Sequence, residues 1–209
     1  MKMSNIKLYR HPLSGHSHRV ELLLSILELK TEIIDVDVLG GEHKQPKFVA
    51  KNTFAQIPVL EDGESTLADS NAILVFLANK YDTTRTWLPV NPLAAAAVQR
   101  FLSVASGQLA YGPAAARLVN VFGADLDHEK AKQRSNDLLL TLNDHLWERK
   151  WLATDNPTIA DVANYAYIAH AAEGGVSLEP YPHVIAWLRR IEELPGFIPM
   201  HKTAVGLVA

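Results

Sequence analysis

The sequence has no cysteine. That excludes disulfides, zinc–thiolate sites and any Cys-x-x-Cys redox mechanism, and it fits a reducing compartment, so a cytoplasmic location is expected. Long apolar runs are missing too. No stretch approaches the roughly 18 unbroken apolar residues of a membrane span, and the opening M-K-M-S-N-I-K-L-Y-R has no apolar signal core. Nor is there an excess of charge of one sign. Twenty basic side chains against 23 acidic ones leave a net charge of -3, which argues against nucleic acid or a membrane surface as partner. What the chain does have is apolar material. Hydrophobic residues make up 48% of its 209 residues, enough for a sizeable core in one large domain or two small ones.

The first part alternates between strand and helix patterns. Ile6-Lys7-Leu8-Tyr9 reads as a strand and His11-Pro12-Leu13-Ser14-Gly15 as a loop. Val20, Leu23, Leu24 and Leu27 then fall at helical spacing, with Glu21, Ser25 and Glu28 opposite. Ile34, Val36 and Val38 alternate with Asp35 and Asp37, which predicts a second strand, so this region is a βαβ unit. Gly40 to Pro46 is a polar loop. Ile57-Pro58-Val59-Leu60 suits a strand, Asp62-Gly63 marks a turn, and Thr66-Leu67-Ala68 can return as the second arm of a hairpin. Asp69 or Ser70 then caps a helix whose apolar face is Ile73, Phe76 and Leu77.

After Tyr81 the texture changes. Residues 83–92 carry Pro89 and Pro92 and read as a linker between a domain over 1–82 and an all-helical domain over 93–209. Val98, Phe101, Leu102, Ala105 and Leu109 mark one helix, which Gly112-Pro113 should bend or end. Ala131, Leu138, Leu142 and Leu146 mark another. Thr158-Ile-Ala-Asp161 resembles a capping box opening a buried helix, which gives Asp161 a structural role. Pro182, Val184, Trp187, Leu188 and Ile191 make a further helix, stopped by Pro195-Gly196.

Several residues here have chemistry to offer, each with a plainer alternative. Pro58 lacks an N–H and starts a strand, so Ile57 is placed to turn its backbone groups to a ligand; whether the Ile57–Pro58 bond is cis stays open at this point. Asp69-Ser70 at a helix start can bind a carboxylate or can simply cap the helix. Ser14 lies between the end of a strand and the start of a helix, where α/β folds place ligands, and it too can be only a cap. His16 and His18 hint at a metal, but i, i+2 spacing on a helix does not face one site, so a solvated face is expected and no metal. Glu42-His43-Lys44 is a charged loop on its own terms.

Read together, these stretches resemble a known family. Q-I-P-V-L-E-D-G followed by D-S-x-A-I at a helix start is similar to the glutathione-binding half of a cytosolic glutathione S-transferase. H-P-x-S-x-x-x-x-R-V resembles the serine-type transferases, especially the phi class, and G-E-H-K followed by F-V-A-K-N-T-F-A-Q-I-P is close to the phi-class pattern. The order of α/β half, linker and helical half is also the family's, so the resemblance covers nearly the whole chain.

The resemblance implies a two-domain fold: an N-terminal thioredoxin-like βαβ-ββα domain followed by an all-α helical bundle. It implies glutathione as co-substrate and a small hydrophobic electrophile, in a homodimer. Ser14 would hold the glutathione thiol as thiolate, which then attacks the electrophile. Pro58 would be cis, with Ile57 pairing the cysteinyl backbone. Asp69 and Ser70 would take the γ-glutamyl end, and His43, Lys44 and Gln56 would approach the other end. Leu13, Tyr111 and Arg117 would line the electrophile site between the domains, and Phe54 would sit in the dimer interface. Tyr9 stands one position from the activating tyrosine of tyrosine-type transferases, and one position along a strand turns a side chain to the other face. Ser17, a turn into the helix, should point away. Two other activities fit the same site: glutathione-dependent peroxide reduction, and glutathione binding without turnover.

Overall fold

A computed structural model describes residues 6–207. The chain divides into two compact units. Among the described residues, one holds residues 6–83 and Pro195–His201; the other holds Thr84–Leu194 and residues 202–207.

The first unit is built on four strands: β1 (Ile6–Arg10), β2 (Thr31–Asp35), β3 (Val59–Asp62) and β4 (Ser65–Ala68). Their order is β2-β1-β3-β4. β2 is parallel to β1, and β3 is antiparallel to both β1 and β4. Helix α1 (Gly15–Ile26) links β1 to β2, a short α2 (Pro46–Val49) precedes β3, and α3 (Ser70–Tyr81) follows β4. This is the expected βαβ-ββα arrangement. Directly paired residues share a face. Leu8 and Leu60 pair and are fully buried; theirs is the face left for α1 and α3, which pack on each other. Tyr9 and Val59 pair on the opposite face, where Val59 joins Val36 and the α2 residue Phe48.

Two local readings change. β2 begins at Thr31, because Ile6 of β1 already pairs there, and its ladder ends with Arg10 against Asp35. The polar residues Thr31 and Glu32 hid its start, as suits an edge strand with one solvated face. The alternation of Ile34, Val36 and Val38 was real, since Val36 is buried with Val38 against it, yet past Asp35 only the Val36 N–H to Arg10 carbonyl bond continues. In addition, Pro46 begins a helix instead of closing a loop, since proline at the first helical position gives up an N–H that would be unpaired anyway.

The segment Pro195–His201 completes this unit. Gly196 has φ +78, and a Cβ there would stand 2.8 Å from the Ser25 carbonyl oxygen, so the close approach requires glycine. His18 on α1 donates from Nε2 to the Ile198 carbonyl at 2.9 Å.

The second unit is helical: α4 (Pro92–Ser106), α5 (Ala115–Phe122), α6 (His128–His145), α7 (Ile159–Ala169) and α8 (Pro182–Glu192). Asn91 caps α4 by accepting from the N–H groups of Leu93 and Ala94 at 3.0 and 3.1 Å. The expected break at Gly112-Pro113 takes another form. α4 ends earlier, and Ala110–Ala114 forms one π-helical turn that carries Pro113 into α5. Residues Ile159–Ile168 of α7 are all buried, so this helix is the centre of the unit. Asp161 closes the expected capping box with Thr158. Among the described residues, no helix is long and apolar enough to cross a membrane.

Candidate active site

Of the candidate residues, Leu13 and Ser14 lie where β1 runs into α1, and Asp69 and Ser70 where β4 runs into α3. Ser14 is the N-cap of α1, and its Oγ accepts from the Ser17 N–H at 3.2 Å. The two readings of Ser14 are therefore compatible. As a cap it uses a lone pair, and its single proton remains to be donated elsewhere. The positive end of a 12-residue helix lies at the same point. The loop before it is braced: the Ser14 N–H bonds the His11 carbonyl at 3.0 Å, and the Leu13 N–H bonds His11 Nδ1 at 3.2 Å. Leu13 is half-buried beside it.

Asp69 is the N-cap of α3 and accepts from the Ala72 N–H at 2.9 Å. Its φ of +69° is uncommon for a residue with a side chain, and such strain collects at functional sites. Asp69 is exposed, whereas Ser70 is buried. The Ser70 hydroxyl meets two side chains of α1: Arg19 donates to it from Nη1 at 3.2 Å, and His16 Nδ1 lies 3.5 Å away. Arg19, only 1% exposed, also donates to Asn71 Oδ1 at 2.8 Å. Burial, and then the Arg19 charge, pull the His16 pKa down to about 3, so its ring is neutral.

The loop ahead of β3 is shaped by a residue that sequence reasoning missed. Asn52 is buried, accepts from the Phe54 N–H at 3.0 Å and donates to the Gln56 carbonyl at 2.8 Å. An Asn that folds its side chain onto residues two to four ahead is a turn former, and that was the signal available. Phe54 is left 81% exposed and Gln56 exposed. The Ile57–Pro58 bond is cis. Ile57 lies before the ladder and packs on the Val36–Phe48–Val59 cluster. His43 and Lys44 occupy a separate 3-10 turn, Glu42–Lys44, His43 half-buried and Lys44 exposed.

Other expectations are corrected. His16 and His18 do not form a solvated face; both turn inward, to Ser70 and to Ile198. Ser17 is fully buried, and its Oγ accepts from the His11 N–H at 3.3 Å, so it braces the loop instead of pointing away. Tyr9 is occupied elsewhere, donating to Glu61 Oε2 at 3.0 Å beside the Lys51–Glu61 ion pair. In the second unit, Tyr111 is exposed and stands in a groove of about 830 Å³ with Arg100, Phe101, Val104 and Leu138. Arg117 is not among its lining residues. It is 1% exposed and forms an ion pair with Glu173 at 2.6 Å, a structural role in place of the lining role expected for it.

The family model described as glutathione S-transferase, N-terminal domain, matches residues 4–79, and the one described as glutathione S-transferase, C-terminal domain, matches residues 107–195. Glutathione S-transferase 3 of Zea mays is 35% identical over 209 residues, covering 93% of this chain and 92% of its own. The chain belongs to the glutathione S-transferase family. Solved glutathione S-transferases share its fold. One from Pseudomonas fluorescens is 32% identical with a TM-score of 0.88, covering 94% of this chain and 99% of its own. A glutathione transferase homologue from Drosophila mojavensis, solved with bound glutathione, is 25% identical with a TM-score of 0.84, covering 92% of this chain and 90% of its own. Plant relatives include glutathione S-transferase F7 of Arabidopsis thaliana, 27% identical and covering 93% of this chain and 98% of its own. Membership makes the chain a transferase enzyme, and its serine at the start of α1 and its Asp-Ser at the start of α3 are the residues with which to ask how it works.

Proposed function

We propose that this transferase conjugates glutathione to a small hydrophobic electrophile, with Ser14 holding the glutathione sulfur as thiolate. The observation that carries the reading is the Ser14 cap: its oxygen accepts from Ser17, which leaves its proton to donate at the positive end of α1. A free thiol has a pKa near 8.5, so only a few per cent is ionised at neutral pH. A hydroxyl donor and a helix N-terminus both favour the charged form. Serine does not attack; it lowers the thiol pKa, and the bound thiolate reacts with an electrophile held nearby.

The remaining roles follow the chemistry of glutathione. Asp69 and Ser70 hold the γ-glutamyl end, Ile57 the cysteinyl backbone, and His43, Lys44 and Gln56 the glycine carboxylate, which cationic and donor groups suit. Leu13, next to Ser14, offers apolar surface to the electrophile. The working form is a homodimer. Phe54, 81% exposed in a polar loop, is its anchor, and the groove of a second copy in which Phe101, Val104, Tyr111 and Leu138 stand among polar neighbours such as Arg134 and Asp137 is its receptor.

Ser14→Ala tests the mechanism. It should leave glutathione binding nearly intact, cut turnover, and raise the pH at which the bound thiolate absorbs. An unchanged titration curve would reduce Ser14 to a cap.

A further inference from the structure

His16 and Arg19 stand at i, i+3 on α1 and so share one face of the helix. That face meets the start of α3, and both side chains converge on one atom, the Ser70 Oγ, at 3.5 and 3.2 Å. Ser70 is 5% exposed, so what its hydroxyl can do is set by these neighbours and by whatever occupies the site.

A hydroxyl has one proton and two acceptor positions. Arg19 can only donate, so it takes one acceptor position of Ser70. Its second bond, to Asn71 Oδ1 at 2.8 Å, fixes the guanidinium in place. The Ser70 proton is then decided by His16. If Nδ1 is bare, Ser70 donates to it and has no proton left to offer. If Nδ1 carries the single proton of the neutral ring, it donates into the second acceptor position, and the Ser70 proton turns away from α1. A carboxylate only accepts, so only the second arrangement serves it. The ring is neutral in this environment, so the variable is which nitrogen holds the proton, not whether the ring is charged.

We propose that His16 is a positioning residue of the transferase: as the Nδ1–H tautomer it fills, with Arg19, the acceptor positions of Ser70 and turns that hydroxyl into a donor to the γ-glutamyl carboxylate of glutathione. The proposal rests on reading Asp69-Ser70 as the γ-glutamyl subsite. It gives α1 two functions from one short run. Ser14 at its tip faces the sulfur, and His16 and Arg19 along its side prepare the other end of the tripeptide.

The test uses S-methylglutathione, whose blocked thiol removes the sulfur's own titration, with binding measured by calorimetry and kcat measured separately with glutathione. His16→Leu should weaken binding about tenfold, the worth of one hydrogen bond to a charged group, and leave kcat at saturation unchanged. His16→Asn places an amide N–H near the Nδ1 position and should keep affinity within about twofold of the parent by preserving that bond. In a Ser70→Ala background, His16→Leu should add nothing, because its effect passes through that hydroxyl. Three results overturn the proposal: Asn no better than Leu, the same loss with and without Ser70, or a fall in kcat with affinity intact. If Ser70→Ala itself leaves binding unchanged, the γ-glutamyl reading fails and takes His16 with it. If Ser70→Ala weakens binding and His16→Leu does not, His16 alone is wrong.

Discussion

The Trp187 indole donates from Nε1 to Asp161 Oδ1 at 2.9 Å, joining α8 to the first turn of α7. The same carboxylate accepts from the Leu152 N–H at 2.9 Å, the Thr158 N–H at 2.9 Å and the Thr158 hydroxyl at 3.3 Å. Asp161 is thus more than a cap. It is 1% exposed and pins three segments together. Removing it strands several buried donors, and each unsatisfied buried group costs about 1–3 kcal/mol. Asp161→Ala should therefore destabilise the protein by about 3–5 kcal/mol, the cost of leaving a few such donors unpaired. Activity per folded molecule should survive. Denaturant melts followed by tryptophan fluorescence check this, and a variant as stable as the parent refutes it.

Asp69 combines a capping bond with a positive φ, and two substitutions separate its roles. Asp69→Ala loses the Ala72 bond and keeps the unfavourable φ, so about 1–2 kcal/mol of stability should go. Asp69→Asn keeps the cap and tolerates the φ, so it should fold like the parent. On the proposed γ-glutamyl role it still loses a charge for the ammonium group, and the KM for glutathione should rise about 3–10-fold, as for a weakened charge-assisted bond. A parental KM in Asp69→Asn would confine Asp69 to capping.

Phe54→Ala should shift a homodimer toward monomer. An exposed aromatic anchor of this kind, once buried in a partner, can be worth about 2 kcal/mol or more. Because Asn52 ties Phe54 and Gln56 into one turn, the variant should also bind glutathione somewhat less well. Sedimentation velocity decides the matter. A parent that is monomeric at micromolar concentration ends the idea, and a variant that dimerises equally well removes Phe54 from it.

His16 sets a pH dependence of stability. Its pKa is about 3 in the folded protein and near 6.5 when unfolded. The unfolded chain therefore binds the proton first, so this contribution is complete above pH 6.5 and is lost as pH falls toward 3. The slope is at most about 1.4 kcal/mol per pH unit for one group, and the partial exposure of the ring keeps it below that limit. His16→Asn should lose less stability than the parent between pH 7 and pH 5. Equal losses, measured as urea midpoints, would show that His16 does not carry the effect.

The sequence made the first unit legible wherever one side chain type repeated at a fixed spacing. The β1 alternation, the α1 stripe and the Asp62-Gly63 turn all mark real elements. β2 was misplaced because its first residues are polar on an edge strand, and α2 was missed because four residues carry no periodicity. Ser14 and Asp69 could be found as helix caps because a cap is local chemistry. The contact of Ser70 with His16 and Arg19 could not. It spans 54 and 51 residues, and nothing near either end announces it. His18 was misread for the same reason, since its acceptor lies 180 residues away on Ile198. Arg117 looked available to a ligand until the fold supplied Glu173 as its partner.

The place of Pro195–His201 in the first unit means that this unit is not a contiguous piece of the gene product. A fragment ending at Thr83 would lack the glycine that fits against Ser25 and the carbonyl that receives His18. Its α1, which Ser14 caps and on which His16 stands, would be missing part of its natural lining. The tail is thus a seam, and anyone dissecting the protein into halves must carry these seven residues across, spliced behind the first unit, to give that half the surface it was built with.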